Sequence, residues 1–128
     1  MKEFKLFIRN QKDNFSKLNS EDQSQFLKKC EIYINRLKSN GKLLGAQPLV
    51  REGKIISYEN DAWLELEYDA AGSEVIVGYY HILANDMAEA IEIAKQNPEF
   101  EYSRTARIEV RPIKTKESTT GFVYPKKS

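Results

Sequence analysis

The chain has 128 residues, of which 41% are hydrophobic and 30% are charged, and its 20 basic against 19 acidic residues leave a formal charge of +1. This length is typical of one domain that buries roughly two-thirds of its unfolded surface without disulfides or metals. The balanced charge argues against nucleic acid as a partner, because no domain-wide basic field could neutralise phosphates. The sequence also lacks an apolar run near the ~20 residues of a membrane span, which argues against a membrane protein.

The N-terminal segment interleaves charged and apolar residues from Met1 to Arg9. It therefore lacks the continuous apolar core of a signal peptide, and we expect a cytoplasmic location. The single cysteine, Cys30, falls in a helical pattern, which favours core packing over a nucleophile. Because transition-metal centres recruit several His or Cys ligands and His81 is the only histidine, we expect no metal and no cofactor.

The first third of the chain predicts a strand and a long helix. Phe4 and Leu6 begin an alternation that is typical of a strand with one buried face, and residues 10–19 predict a loop. Ser20 and Gln23 form a capping box that starts a helix ending near Asn40. The helix carries an apolar stripe that predicts burial: Phe26, Leu27, Cys30, Tyr33, Ile34 and Leu37.

Residues 42–68 predict a strand followed by a β-hairpin. Pro48, inside the segment 42–50, indicates an edge position or a bulge. We expect Gly53 to supply a positive φ in the turn that follows. Residues 54–58 and 62–68 predict the hairpin arms, in which alternating Leu and Glu side chains indicate a solvated acidic face.

The second half predicts a turn at residues 69–73, a central strand from Glu74, a helix and a last strand over residues 105–113. Asp86 and Glu89 form a capping pair where the period changes from 2 to 3.6. The dipeptide ending in Pro98 stops this helix. Residues 114–128 form a C-terminal tail of the single domain 1–128, and we expect its aromatic residues, Phe122 and Tyr124, to pack on a partner subunit.

The order strand, helix, strand, hairpin, strand, helix, strand matches the split βαβ arrangement of ferredoxin-like α+β domains. In that arrangement both helices cover one face of an antiparallel sheet, and the hairpin is an excursion from it. The opposite sheet face, with Phe7, Val77 and Tyr79, would need a partner, so we expect a homodimer.

Residues 41–49, 74–98 and 106–113 also resemble the YCII-related family, whose members are called DGPF-domain proteins. The resemblance spans residues 1–113 and implies a dimeric α/β barrel with a small-molecule pocket between the sheet and the hairpin. The chain departs from the family where the Asp-Gly-Pro-Phe motif would fall, because it reads Glu65-Leu-Glu-Tyr68 there. It also lacks a histidine in the first helix, so the resemblance supplies no catalytic residue.

Strand alternation predicts a candidate pocket on the sheet face opposite the helices. If Ile8, Ile82 and Ile108 face the helices, residues one step away share the other face. These are Arg9, His81, Arg107, Glu109 and Arg111, and Gln47 and Tyr79 could orient a ligand beside them. Glu109 offsets one positive charge, and the rest would suit a carboxylate or phosphate. The alternative is that this face is wet, or that its charges form salt bridges across the dimer.

Two functions follow from this sequence. The first is a protein that binds a small anionic molecule, with His81 available for acid/base chemistry near neutral pH. The alternative is a non-catalytic partner-binding or regulatory module that uses the barrel only for dimerisation. The fold alone cannot separate them.

Overall fold

The computed structural model describes residues 1–68 and 74–126, so the turn predicted at residues 69–73 lies outside the described residues. In chain order the elements are β1 (Lys2–Gln11), α1 (Ser20–Ser39), β2 (Leu43–Pro48), β3 (Lys54–Glu59), β4 (Ala62–Glu67), β5 (Glu74–Ala84), α2 (Met87–Lys95), α3 (Glu99–Tyr102) and β6 (Arg107–Pro112).

Four strands form one sheet in the order β2-β5-β1-β6, and every neighbouring pair is antiparallel. The remaining strands, β3 and β4, form a separate hairpin. The predicted α+β class with an antiparallel sheet is therefore confirmed, and the strand order is consistent with a ferredoxin-like arrangement. Within the described residues the four-stranded sheet stays open, with β2 and β6 at its edges.

The core lies between the sheet and the helices α1 and α2. Leu6 and Ile82, from the two central strands, are fully buried and belong to one cluster with Tyr33 of α1 and Ile93 of α2. The hydroxyl of Tyr33 donates a 2.7 Å hydrogen bond to the carbonyl oxygen of Ile93. This bond satisfies the buried polar tip of the ring and fixes the two helices relative to each other.

Side chains cap the N-termini of α1 and α2, as the sequence predicted, but the cap of α1 lies one residue earlier than expected. Asn19, and not the predicted Ser20, caps α1, because its side chain accepts a 2.8 Å bond from the backbone of Asp22. Asp86 caps α2 as predicted, with a 2.9 Å bond from the Glu89 amide. The short helix α3 begins directly after Pro98 and was not predicted. A proline that ends one helix can also start the next, because the N–H that proline lacks would have no partner in the first turn.

A β-bulge in β5 changes the predicted facing of its first half. Ile8 pairs with Gly78 while Arg9 pairs with Ile76, so Val77 has no residue opposite it on β1. Because the extra residue reverses the alternation, Val77 is buried in the core with the helices. The prediction that Val77 faces a partner subunit is therefore wrong.

The hairpin is confirmed, but its positive-φ residues are not where the sequence placed one. Asn60 and Asp61 have φ of 50° and 61° and form the two-residue connection between β3 and β4. Gly53 is absent from the positive-φ residues of the described chain, because its carbonyl oxygen accepts a 2.9 Å bond from Tyr68 and extends the hairpin pairing. Pro48 lies on an edge strand as predicted, and the register of β2 also shifts between Leu43 and Gly45.

Gly78 should be intolerant of any side chain. A Cβ there would lie 3.0 Å from the carbonyl oxygen of Gln47 and 3.2 Å from the Cα of Pro48, whereas a Cβ at Gly45 would meet nothing within 4 Å. We expect Gly78→Ala to lower the free energy of unfolding by about 1–3 kcal/mol, because both contacts are with backbone that must move. Gly45→Ala is the matched control and should be neutral or mildly stabilising in urea unfolding. Equal effects of the two substitutions would contradict this packing.

Candidate functional site

The sheet face opposite the helices carries most of the predicted pocket residues, but it holds an ion-pair network. Arg9 donates from Nε to Glu74 Oε1 and from Nη1 to Glu109 Oε1, both at 2.8 Å. Arg107 donates to both oxygens of Glu74, from Nε at 2.7 Å and from Nη2 at 2.8 Å. Arg111 is exposed, and its Nη1 lies 3.7 Å from Glu109 Oε2.

Glu74 is the centre of this network and was missed by the sequence analysis. Strict alternation from Tyr79 would place Glu74 on the helix side, and only the bulge at Val77 brings it to the open face. The two hydrogen bonds from Arg107, assisted by those from Arg9, lower the pKa of its carboxyl to about 2. The positive charge that was expected to attract an anion is therefore largely matched within one chain at Arg9 and Arg107.

The ion pairs of Glu74 should make the free energy of unfolding depend on pH in the acid range. Its pKa is about 2 in the folded chain against an ordinary value of 4.5, so the unfolded chain takes up the proton first as pH falls. We expect the stability difference between the wild type and Glu74→Gln to be largest above pH 4.5 and to shrink as pH falls toward 2. Urea unfolding across this range measures the difference. Glu65→Gln, at an exposed hairpin position, is the control, and a difference for Glu74→Gln that does not vary with pH would contradict the network.

His81 lies on the same face, beside a carboxylate that the sequence analysis did not identify. Its Nε2 is 2.8 Å from Oε1 of Glu3, and Oε2 of Glu3 lies 2.8 Å from Nζ of Lys126. Glu3 is buried, and Lys126 is the largest cause that lowers its pKa, followed among the lowering causes by His81. These residues line a cavity of about 480 Å³ that also includes Lys5, Arg111 and Tyr124. Lys126 was hard to foresee because the tail must fold back to reach β1.

The C-terminal tail packs on its own chain in this structure. The backbone N–H of Tyr124 donates a 2.9 Å hydrogen bond to the carbonyl oxygen of Thr115. The backbones of Lys116 and Val123 form an antiparallel β-bridge. The rings of Phe122 and Tyr124 meet edge to face at 5.3 Å, and both remain exposed. Their predicted contact with a partner subunit stays a prediction.

The larger cavity is a half-open cleft on the helix side, bordered by α1, the loop between β1 and α1, and strands β2 and β5. Its volume is about 760 Å³, and two predicted site residues, Gln47 and Tyr79, border it, although the Tyr79 ring lies on the open face, where Lys5 Nζ is 4.4 Å from the ring centre. Its walls are mainly apolar and come from β1, α1 and β5: Ile8, Phe26, Cys30, Ile34, Val77 and Tyr80.

The apolar stripe of α1 is less buried than predicted because it forms a wall of this cavity. Tyr33 and Leu37 are buried against the sheet, but Phe26, Cys30 and Ile34 are only half-buried and Leu27 is 49% exposed. Burial raises the pKa of the Cys30 thiol to about 12, and the nearby carboxylates of Glu99 and Glu31 add to this. The thiol is therefore protonated at neutral pH, which supports packing over a nucleophilic role.

Polar groups gather at one part of the cavity wall. Glu99 is buried, and its Oε1 accepts hydrogen bonds from Asn10 at 2.8 Å and from Asn14 at 3.2 Å. Arg51 donates from Nη2 to Asn14 Oδ1 at 3.3 Å, which is long for such a bond. Its Nη1 is buried and has no hydrogen-bond partner among the described residues.

The charge of Glu99 acts on Arg51 without a direct ion pair between them. Burial lowers the pKa of Arg51, while the charge of Glu99 acts in the opposite direction. Yet no Arg51–Glu99 contact is among the salt bridges within 4 Å in residues 1–68 and 74–126. Neither residue was a candidate in the sequence, because Arg51 lies in a turn without periodicity and Glu99 follows the proline that was expected to end the helix.

No family model matches the chain, and no curated protein is significantly similar to it. The resemblance to YCII-related proteins therefore stays a prediction. None of the helices in the described part of the chain is long and apolar enough to cross a membrane. In the same residues, no cluster of three or more His, Cys, Asp or Glu is arranged to hold a metal ion.

Proposed function

We propose that this protein binds a small molecule with an apolar body and a carboxylate in the larger cavity, and that Arg51 holds the carboxylate. The observation that carries the proposal is a buried guanidinium nitrogen, without a hydrogen-bond partner in residues 1–68 and 74–126, in the wall of a 760 Å³ apolar cavity. Ligand sites commonly have this form, with volumes of about 300–1,000 Å³, apolar walls and a few convergent polar groups.

The hydrogen bonding of the Arg51 guanidinium supports an acceptor that a bound ligand would provide. A buried donor without an acceptor costs about 1–3 kcal/mol, more for a charged group, and a ligand carboxylate would remove this cost. The bond to Asn14 is long, so the guanidinium can turn toward a ligand with little loss. A planar guanidinium also matches a carboxylate in two-point geometry, which fixes the orientation of the ligand.

Apolar contact would supply most of the affinity. Phe26, Ile34 and Val77 present aliphatic and aromatic surface to the cavity, and each Å² removed from water contributes roughly 25 cal/mol. His81 lines the smaller cavity and not this one. The acid/base role predicted for His81 would therefore act in the smaller cavity, beside Glu3. For the larger cavity we propose binding.

The hairpin favours the alternative function, a partner-binding module. Trp63 is 72% exposed and Ile56 is 64% exposed, and both lie on the same face of the hairpin because Tyr58 pairs with Trp63 and Ile56 pairs with Glu65. An isolated two-stranded hairpin is marginally stable in water. A protein partner that covers this face would stabilise it.

Arg51→Met should separate binding from stability. We expect the substitution to weaken binding of apolar carboxylates, such as octanoate or 3-phenylpropanoate, by at least about tenfold in isothermal titration calorimetry. The melting temperature should be unchanged or higher, because the substitution removes a buried donor that lacks an acceptor. Arg104→Met is the matched control, since Arg104 is exposed. Carboxylate affinity that survives Arg51→Met would contradict the proposal.

We also propose that two chains pair through their open sheet faces, as the YCII-related resemblance implies, to form a dimeric barrel in the cytoplasm. Phe7 and Tyr79 present half-buried rings on this face, and Lys5 Nζ lies 4.4 Å above the centre of the Tyr79 ring. The ion pairs of Arg9 and Arg107 support such pairing, since a charge that is already matched within one chain costs less to bury.

Sedimentation should find a dimer at micromolar concentration. Truncation after Thr120 should weaken it while each domain stays folded, because the removed segment contains exposed Phe122 and Tyr124 and the Lys126 contact with Glu3. Circular dichroism provides the folding control. A stable, folded wild-type monomer at that concentration would rule out the sheet-to-sheet pairing.

A further inference from the structure

We infer that the ligand of the larger cavity is a zwitterion with an apolar body, such as an amino-acid-like molecule, whose carboxylate binds Arg51 and whose ammonium binds Glu99. This inference rests on the proposed function and specifies its ligand class. It follows from the arrangement of opposite charges in the cavity wall, where Arg51 and Glu99 are both buried or half-buried and are not joined to each other.

Glu99 is built as a fixed acceptor. Both of its side-chain hydrogen bonds, from Asn10 and Asn14, reach the same oxygen, Oε1. Oε2 therefore has no hydrogen-bond donor among the residues that the structure describes. The backbone amide of Glu99 is held in turn by Asn97 Oδ1 at 2.8 Å, which fixes the start of α3. A carboxylate with one oxygen held and the other unused is suited to accept from an ammonium group.

The charge balance of the cavity disfavours a simple anion. Among the described residues, two cationic and three acidic side chains line it, so this lining has no positive excess. Of the acidic residues, Asp13 and Glu31 are exposed, whereas Glu99 is buried and cannot be screened by water in the same way. A ligand with only a carboxylate would meet Arg51 but also the like charge of Glu99, which costs affinity.

A zwitterion complements both groups. Its carboxylate would supply an acceptor for Arg51 Nη1, and its ammonium would supply a donor for Glu99 Oε2, partners that neither atom has within the described part of the chain. Each charge would then be paired inside a mostly apolar enclosure, where an unpaired charge is costly. The apolar body would lie against the wall formed by α1 and β5, whose side chains include Phe26 and Val77.

Three probes that share one phenyl ring and a two-carbon linker test the inference on the unmodified chain. They are 3-phenylpropanoate, which has only the carboxylate, 2-phenylethylamine, which has only the ammonium, and L-phenylalanine, which has both. We expect L-phenylalanine to bind at least about tenfold more tightly than either of the others in calorimetry near neutral pH.

Glu99→Gln then assigns the effect to a residue. Glutamine keeps the Oε1 acceptor for Asn10 and Asn14 but removes the negative charge. The preference for L-phenylalanine over 3-phenylpropanoate should fall toward one, while the affinity for 3-phenylpropanoate is unchanged or improved. Glu101→Gln, at an exposed position of the same helix, is the matched control and should keep the preference.

The outcomes separate the two proposals. If 3-phenylpropanoate binds as tightly as L-phenylalanine, the zwitterion inference fails and the carboxylate site stands. If 2-phenylethylamine alone binds, Arg51 does not hold the ligand and both proposals fail. If none of the three probes binds at millimolar concentration, both are likewise overturned. Should Glu99→Gln fail to fold, the probe series on the unmodified chain still decides the inference.

Discussion

The rest of this structure depends on the register between β1 and β5, where one extra residue enters β5 at Val77. Gly78, next to it, allows the backbone of Gln47 and Pro48 to approach closely, so the edge strand β2 joins the sheet beside the bulge. Because strand side chains alternate, the bulge decides which residues of β5 face the helices and which face the open side. Val77 thereby becomes a wall of the larger cavity, and Glu74 reaches Arg9 and Arg107 on the opposite face.

The two faces of the sheet consequently have different chemistry. On the open face, Glu74 and Glu109 match the guanidinium groups of Arg9 and Arg107, and each of these arginines donates two hydrogen bonds within the chain. Partly exposed pairs of this kind contribute modestly to stability, and they make a charged strand face compatible with close approach of another sheet. On the helix side the cavity is mainly apolar, and two of its charged groups, Arg51 and Glu99, are not paired with each other. The helix side therefore has polar atoms, Arg51 Nη1 and Glu99 Oε2, that have no hydrogen-bond partner among the described residues. A ligand could bind these atoms.

Periodicity predicted those parts of the chain in which every residue obeys one period. The alternation of β1 and β6 correctly placed Arg9, Arg107 and Glu109 on one face, and Glu109 was recognised as a partner for the arginines. The same reasoning failed in β5, because a bulge adds a residue without any composition signal that distinguishes it from regular strand. It could not find Arg51 or Glu99 either, since each lies next to a helix or strand end, where only tertiary contacts decide the direction of the side chain. The cavity itself was hidden for a similar reason: an apolar stripe on α1 predicts burial, but not whether the space beside it is filled.

The local rules of capping, strand alternation and apolar burial agree with the fold at most positions of this chain. The positions that break these rules are therefore informative. A half-exposed apolar stripe on α1 gives up hydrophobic stabilisation, and a buried guanidinium nitrogen without an acceptor costs free energy as well. Both exceptions occur around one cavity, together with a buried carboxylate that uses only one of its oxygens. Closer packing of α1 on the sheet would recover the lost hydrophobic stabilisation, and large apolar side chains at positions such as Ala46 would fill the space. We therefore propose that the chain keeps this space and its opposite charges for a small molecule, because the same groups that cost stability would bind that molecule.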